Sequence, residues 1–480
     1  MNEESAPSPE TIQPPDASTG PIAIAGATGF VGSALARALM EADRPVVALS
    51  RSRRWTEDDR LEWRSCDLFL LNDAREALKG VSVAVYLVHS MQPSARLTQA
   101  SFMDMDLIAA DNFARAAAEN GVQHIIYLGG LVPEGDGALS PHLQSRLEVE
   151  AALAAHGVPV TTLRAGLILG PGGSSTRILL DLVRRMPIIT CPPWTSNRFQ
   201  PIALRETIEL LCYAIDHPEL AGRAWDIGAE ETLTYRELLE QTADALGLTR
   251  RFVSVPFSLD WLAVRVTAHL VDEPRSLVGP LLASLKHAML TRDRDLQQRA
   301  NATPVSTADA LAHAIADDPL DLPTHRKQRR EQLQGVRSVQ RMRLPEGKDA
   351  AWACDEYMRW LPRVTLGLIK PEPNDMGGWD FRVRGTSQIL MSFFASPNSR
   401  PDRTVLRITD GVGLLVRDHP TDRLEFRQVL DDRTLLVAVQ DFQPRLWWLI
   451  YLVTQAQLHL GVMWAYACHL SRWDPTGQDA

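Results

Sequence analysis

Seven residues near the start of the chain, Gly26-Ala27-Thr28-Gly29-Phe30-Val31-Gly32, have the types and spacing to cradle a pyrophosphate. Gly26 permits a sharp turn, Gly29 lets backbone N–H groups come close to an anion, and Gly32 allows a helix to pack tightly on a strand. The apolar run Pro21–Ala25 precedes the turn and a helical pattern through Met40 follows it. A helix N-terminus would therefore point its partial positive charge at the phosphates. This context predicts a dinucleotide site. An NAD site usually carries an acid at the end of the second strand, about 20 residues on, to hold the ribose hydroxyls. Here that strand, Pro45–Ser50, runs into Ser50-Arg51-Ser52 followed by Arg53 and Arg54, with no acid. Arg51 suits a 2′-phosphate, which predicts NADP, with NAD as the alternative.

The elements that must position this turn read as alternating strands and helices. Apolar runs at Val81–His89, Gln123–Leu128 and Val158–Leu163 follow the first two strands, with helical stretches at Asp106–Asn120 and Leu143–His156. Such alternation implies right-handed crossovers and a parallel sheet. From Gly170 to Asp318 the alternation fades into a mostly helical lobe. Within it Thr234 and Glu237 form a capping box at the head of a helix over Thr234–Leu246, and Leu277–Leu290 reads as another.

The 480 residues are 45% hydrophobic and 23% charged, enough to build large cores and too apolar for a disordered chain. A formal charge of −9 gives no electrostatic case for nucleic acid as a partner. Five scattered cysteines without a C-x-x-C pair point to reduced thiols and a cytoplasmic setting. No G-x-S-x-G, H-E-x-x-H or Walker loop is present, and no metal site is expected. Residues 1–19 are a polar tail without the basic start or apolar stretch of a secretory signal, and are expected to be disordered.

With the glycine turn and the basic end of the second strand, the chain resembles the short-chain dehydrogenase/reductase superfamily. More narrowly it resembles the atypical extended group of NAD-dependent epimerase/dehydratase-like proteins, which includes NmrA-like regulators and the accessory NAD(P)-binding subunit of respiratory complex I. The resemblance rests also on Asp67-Leu68, Tyr86-Leu87-Val88-His89, Arg164-Ala165-Gly166-Leu167-Ile168-Leu169-Gly170, Gln200-Pro201-Ile202 and Trp225-Asp226-Ile227-Gly228. It implies a Rossmann-type doubly wound sheet with a substrate lobe over residues 20–323, the lobe mainly at 170–318. It also implies an adenine contact at Asp67 and Leu68, and a cofactor wall at Leu87, Val88 and His89. His89-Ser90-Met91 and Ser140-Pro141-His142-Leu143 look most like a bacterial branch with an extra C-terminal domain.

The superfamily's proton-transfer signature, Tyr-x-x-x-Lys, is missing. The matching helix reads His142-Leu143-Gln144-Ser145-Arg146, and the preceding strand ends Tyr127-Leu128-Gly129-Gly130 without a hydroxyl. His142 is the candidate proton donor near neutral pH and Arg146 the candidate supporting charge. The plainer alternative is a polar helix face.

Residues 324–343 carry Arg326, Lys327, Arg329, Arg330, Arg337, Arg341 and Arg343 against Glu331, and read as a basic linker (324–335) running into the next domain. Its two readings are a solvated face and a contact with anionic lipid. Residues 336–480 read as an α+β domain. A helix at Asp349–Leu361 is followed by strands at Asp380–Arg384, Ile389–Phe394, Thr404–Thr409, Leu424–Val429 and Thr434–Gln440, with turn signals at Asp410-Gly411 and Asp431-Asp432. A long helix over Leu446–Leu470 closes the chain. This order resembles the helix-grip fold of the polyketide-cyclase and lipid-transfer superfamily, which implies an apolar cavity lined by Trp447, Trp448, Tyr451, Trp464 and Tyr466; ordinary core is the other reading. Peripheral attachment to the inner membrane is the rival to a buried helix. The reading that follows is an oxidoreductase or epimerase-like protein acting on an apolar or quinone-like small molecule. The alternatives are a sensor or assembly factor without turnover, and a lipid or isoprenoid carrier.

Overall fold

Alternate residues of the strand Ile22–Ala25 (β1) feed two different cores, Ile22 and Ile24 one, Ala23 and Ala25 the other. A strand buried on both faces belongs inside a parallel sheet with helices on either side. The structure, a computed structural model, describes residues 20–89, 96–135, 138–256, 260–270, 275–317, 335–408, 415, 421–430 and 433–473. The expected disordered tail, Ser90 and Met91, the basic stretch at 324–334 and the Asp410-Gly411 and Asp431-Asp432 turns lie outside the described residues.

Strands Val46–Ser50 (β2), Leu61–Ser65 (β3), Val83–Tyr86 (β4), His124–Gly130 (β6) and Val160–Ala165 (β7) join β1 and the strand Ala224–Ile227 in a seven-stranded parallel sheet. Its order is Ala224–Ile227, β7, β6, β4, β1, β2, β3. The order reverses between β1 and β4, so a crevice opens at their carboxyl ends, where ligands of such sheets bind. Helices Phe30–Glu41 (α1), Leu71–Ala77 (α2), Phe102–Glu119 (α3) and Pro141–Ala154 (α4) flank the sheet. The lobe beyond carries the helices Ser174–Arg185, Tyr235–Ala245 and Arg275–Ser284. The capping box is present: Thr234 Oγ1 accepts from Glu237 N, and the Glu237 carboxylate accepts from Thr234 N at 2.7 Å.

The second sheet has eight strands in the order Ile369–Pro373, Trp379–Val383, Ile389–Ala395, Arg403–Ile408, Arg423–Val429, Thr434–Phe442, Val336–Arg343 and Leu97–Gln99 (β5). The first seven form an antiparallel meander whose earliest strand pairs with its last. The eighth, β5, comes from the N-terminal half and pairs parallel with Val336–Arg343, making the sheet mixed. One face carries the helix Ala350–Val364, capped by Asp349, and the C-terminal helices. The other face shares a core with α3: Val339, Val429, Leu436 and Ala438 pack with Ala109 and Phe113.

Two expectations are corrected here. Arg337, Arg341 and Arg343, the end of the basic stretch, lie on the strand Val336–Arg343, and the first two form no solvated face but reach across to the N-terminal half. Arg337 donates to Asp67 at 2.7 Å and to Asp441 at 2.9 Å, and Arg341 to Asp104 and Glu148, both at 2.7 Å. An arginine spent on buried acids is withdrawn from lipid headgroups. The closing helix is two helices, Trp448–Val453 and Gln455–Ser471, broken at Thr454, whose φ of −119° and ψ of −85° are not helical. Among the described residues no helix is long and apolar enough to cross a membrane. Tyr451 and Tyr466 are core, the latter donating its hydroxyl to Ala353 O at 2.6 Å. The packed rings of Tyr357, Trp360, Phe426 and Tyr466 fill the space between sheet and helices. Trp447 and Trp464 instead face outward, 81% and 72% exposed, so they line no interior cavity.

Candidate functional site

The glycine turn closes on itself: Gly29 N donates to Gly26 O at 2.8 Å, and Ser33 N to Gly29 O at 3.0 Å. Gly26 has φ +90°, a conformation that disfavours any side chain. A Cβ on Gly32 would overlap the Gly26 carbonyl oxygen. The backbone of α1 thus starts directly beneath the crevice, which is the cradle a pyrophosphate requires.

A cavity of about 1220 Å³ begins at this turn. Gly26, Thr28, Gly29, Phe30, Ser50, Arg51, Asp67, Leu68, Leu87, Val88, His89 and His142 all line it. Of the candidates from the sequence, Val31 and Gly32 sit behind the turn, where Gly32 is buried and Val31 packs on the core under the sheet. Arg146 does not line the cavity. Its guanidinium donates to Leu128 O and lies over the Tyr127 ring, 5.0 Å from the centroid, tying α4 to β6. The Asp67 carboxylate is already engaged, by Arg337 and by Phe69 N at 3.1 Å. Burial raises Asp67, but Arg337 outweighs burial and holds the carboxyl below its ordinary range.

The far part of the cavity is mainly apolar, with Thr190, Thr195, Thr267 and Ser284 also in its lining. Leu179 and Leu182 come from Ser174–Arg185, Leu238 and Leu239 from Tyr235–Ala245, and Val278, Leu281 and Leu282 from Arg275–Ser284. Gln200, a landmark of the sequence, is structural. Its side chain accepts from Thr291 N at 2.8 Å and donates to Ala229 O at 2.9 Å, closing the lobe onto the sheet.

The sequence reading missed Asp106. It lies in the second turn of α3, 0% exposed, and its Oδ2 meets His89 Nδ1 at 2.6 Å and Ser145 Oγ at 3.1 Å. His89 Nε2 in turn meets His142 Nδ1 at 3.2 Å. The signal that could have found it is a carboxylate on the apolar face of a helix: Ala109, Ala110 and Phe113, three, four and seven residues on, are all core. Burial, with help from His89 and Arg146, pushes His142 down to about 3. The ring is therefore favoured uncharged near neutral pH. Tyr86 and Tyr127 do not line the cavity, and burial pushes both of their hydroxyls up. Among the described residues no group of three ligands could hold a metal.

A seven-stranded parallel sheet, a glycine turn at its switch point and a helical lobe over the crevice define the Rossmann-type dinucleotide-binding class. Residues 22–228, less than half of the chain, match the profile of the NAD dependent epimerase/dehydratase family. The chain is 34% identical over 145 residues to auxiliary protein GraX of Staphylococcus aureus (strain NCTC 8325 / PS 47). That alignment takes in 29% of this chain and 42% of GraX, so the chain spans less than half of that relative's length. It is 22% identical over 247 residues to UDP-glucose 4-epimerase of Vibrio cholerae, covering 47% of this chain and 75% of the epimerase. Among solved structures, a nucleoside-diphosphate-sugar epimerase from Staphylococcus aureus aligns with 61% of this chain and 99% of its own, at 19% identity and a TM-score of 0.49.

Proposed function

We propose that residues 20–323 bind a nicotinamide dinucleotide, NADP in preference to NAD, and transfer hydride between it and an apolar carbonyl or quinone-like small molecule. The observation that carries this reading is the continuity of one cavity from the glycine turn, past Arg51, to a wall of leucines and valines. Each sugar hydroxyl turned against such a wall would give up its water at a cost of about 1–3 kcal/mol. An apolar molecule gains there about 25 cal/mol for every Å² it buries. The described residues between 336 and 473 pack on this unit through the core shared with α3. The test is NADPH oxidation by the full chain offered 9,10-phenanthrenequinone, menadione or long-chain aldehydes. NADPH binding without oxidation of any of these would favour the sensor reading, which the absence of Tyr-x-x-x-Lys and the auxiliary role named for GraX support.

Arg51 decides the cofactor. It stands at the end of β2, exposed and on the cavity, where a 2′-phosphate would lie. Arg51→Ala is expected to weaken NADPH binding roughly 10- to 100-fold, the scale of one charge-assisted hydrogen bond, and NADH by less than about threefold. Equal losses for both in calorimetry would reject the NADP assignment.

Membrane contact, the rival reading of the last helices, now has a different basis. Trp447, Leu449, Val453, Leu458 and Trp464 are each more than 60% exposed. They come from a stretch, 446–471, that has no Asp, Glu, Lys or Arg. Aromatic and aliphatic residues presented together in this way suit an interfacial contact. In flotation with phosphatidylglycerol vesicles the full chain should rise with the lipid, and Trp447→Ser with Leu449→Ser and Trp464→Ser should leave it behind. Wild-type chain remaining at the bottom of the gradient would rule out lipid as the partner of this face.

A further inference from the structure

We propose that Asp106, His89 and His142 form a proton wire that replaces the missing tyrosine and lysine, with His142 exchanging the proton with substrate. The proposal rests on the oxidoreductase reading above.

Three elements deliver its members. His89 follows β4 at the switch point, Asp106 lies on α3, and His142 is the second residue of α4 after Pro141. Ser145, one turn on from His142, donates to the same Asp106 oxygen that His89 uses, so α3 and α4 are fixed to each other at this point. Phe102 stands edge-on to the His89 ring at 6.1 Å and limits its rotation. Both histidines line the cavity, and among the described residues the Nε2 of His142 has no hydrogen-bond partner. A nitrogen–nitrogen distance of 3.2 Å requires one proton between the rings, donated by one and accepted by the other.

The charges around the wire say how it works. Asp106, Arg146 and His89 face His142, and the buried hydroxyls of Tyr86 and Tyr127 lie in the field of Asp106. Burial keeps His142 uncharged at neutral pH. A ring that stays uncharged can still pass a proton, taking one on Nδ1 as it releases one from Nε2. The charge change then falls on His89, whose Nδ1–H remains bonded to the Asp106 carboxylate.

For reduction of a carbonyl, the bound dinucleotide would supply hydride to the carbonyl carbon. The carbonyl π pair moves onto oxygen, and the oxygen takes the Nε2 proton of His142, whose N–H pair stays on Nε2. His142 Nδ1 takes the Nε2 proton of His89, which begins as imidazolium and ends neutral. One proton has left the wire, and solvent restores it to His89. Oxidation of an alcohol runs the same transfers backward.

The test uses the full chain with 15N-labelled imidazoles, without cofactor, assigned with His89→Gln and His142→Gln. Across a pH titration His142 is expected to remain neutral and to change tautomer, from Nε2–H to Nδ1–H, at the same midpoint at which His89 loses its proton. In Asp106→Asn the two events should separate. Should that variant fail to fold, Ser145→Ala, which leaves every charge in place, should shift the common midpoint. A His142 that shows one tautomer throughout, or becomes imidazolium together with His89, would overturn the wire. With NADPH and 9,10-phenanthrenequinone, His142→Gln should lose roughly 10²- to 10⁴-fold in kcat with little change in KM. Turnover within about twofold of wild type would also overturn it. Wild-type chain that binds NADPH but oxidises none would reject the oxidoreductase reading, and the tautomer measurement would still decide the wire.

Discussion

Arg427→Met is expected to destabilise the full chain by about 3 kcal/mol, the lower end of the range for removing one partner from a buried charge pair. Arg427 is 1% exposed and stands where the second sheet meets α3. It donates to Asp111 at 2.6 Å, to Asn112 Oδ1 at 2.7 Å, and to Glu425. Methionine fills similar space but leaves two buried carboxylates with fewer cations. The loss stays near the lower limit because Arg115 and His156 remain beside Asp111, and Arg403 and Arg423 beside Glu425. Urea unfolding measures it, and a loss below about 1 kcal/mol would show that the cluster contributes specificity and little stability. Because this arginine joins the two halves, the variant should still unfold in one transition, only earlier.

The same cluster sets an acid limit. Burial raises Asp111 and Glu425, but Arg427 with His156 and Arg115 outweighs it at the first, and Arg403, Arg427 and Arg423 outweigh it at the second. Both carboxyls are held well below their ordinary range. A group whose pKa is lower folded than unfolded stabilises the fold above its unfolded value and loses that contribution as pH falls. Stability should therefore be level above about pH 5 and decline steadily below about pH 4, where unfolded carboxyls begin to take up protons.

Gly32→Val should abolish dinucleotide binding, lowering affinity by more than about 100-fold. Its Cβ would meet the carbonyl oxygen of Gly26 and the backbone of Ala27, neither of which can move without opening the turn. A displacement of an ångström at a phosphate cradle removes several charge-assisted contacts at once, each worth about 1.5–3 kcal/mol. Calorimetry with NADPH reads the effect, and circular dichroism shows that the fold persists. Near-normal affinity in a folded variant would mean that the cofactor does not sit on this turn.

Local chemistry made much of the fold legible, and distance hid the rest. The glycine turn, the apolar strands and the capping box at Thr234 each declare themselves within a few residues. The strand Leu61–Ser65 does not, because at the edge of the sheet it carries Glu62 and Arg64, which are paired with each other at the surface. The strand Val336–Arg343 was hidden in a basic stretch, since three arginines sit in its eight residues. Two of them, Arg337 and Arg341, pair with acids, Asp67, Asp104 and Glu148, that lie some 190 to 270 positions earlier and are invisible to any local pattern. β5 is three residues long and gains its place only from a partner strand in the other half of the chain. At the site, His89 and His142 were both named from the sequence, one as cofactor wall and one as acid. What joined them was Asp106, whose role depends on α3 and α4 lying side by side. Arg146 matched the superfamily's lysine by spacing, yet its reach takes it to the Leu128 carbonyl instead.

The most direct test of the central claim is NADPH consumption by the purified full chain, measured in parallel with 9,10-phenanthrenequinone and with its glycine-turn variant Gly32→Val. Oxidation of NADPH by the wild-type chain, absent from the variant and much slower with NADH, is the expected result. An equal rate in both proteins, or binding of NADPH with no oxidation by any apolar carbonyl, would contradict it.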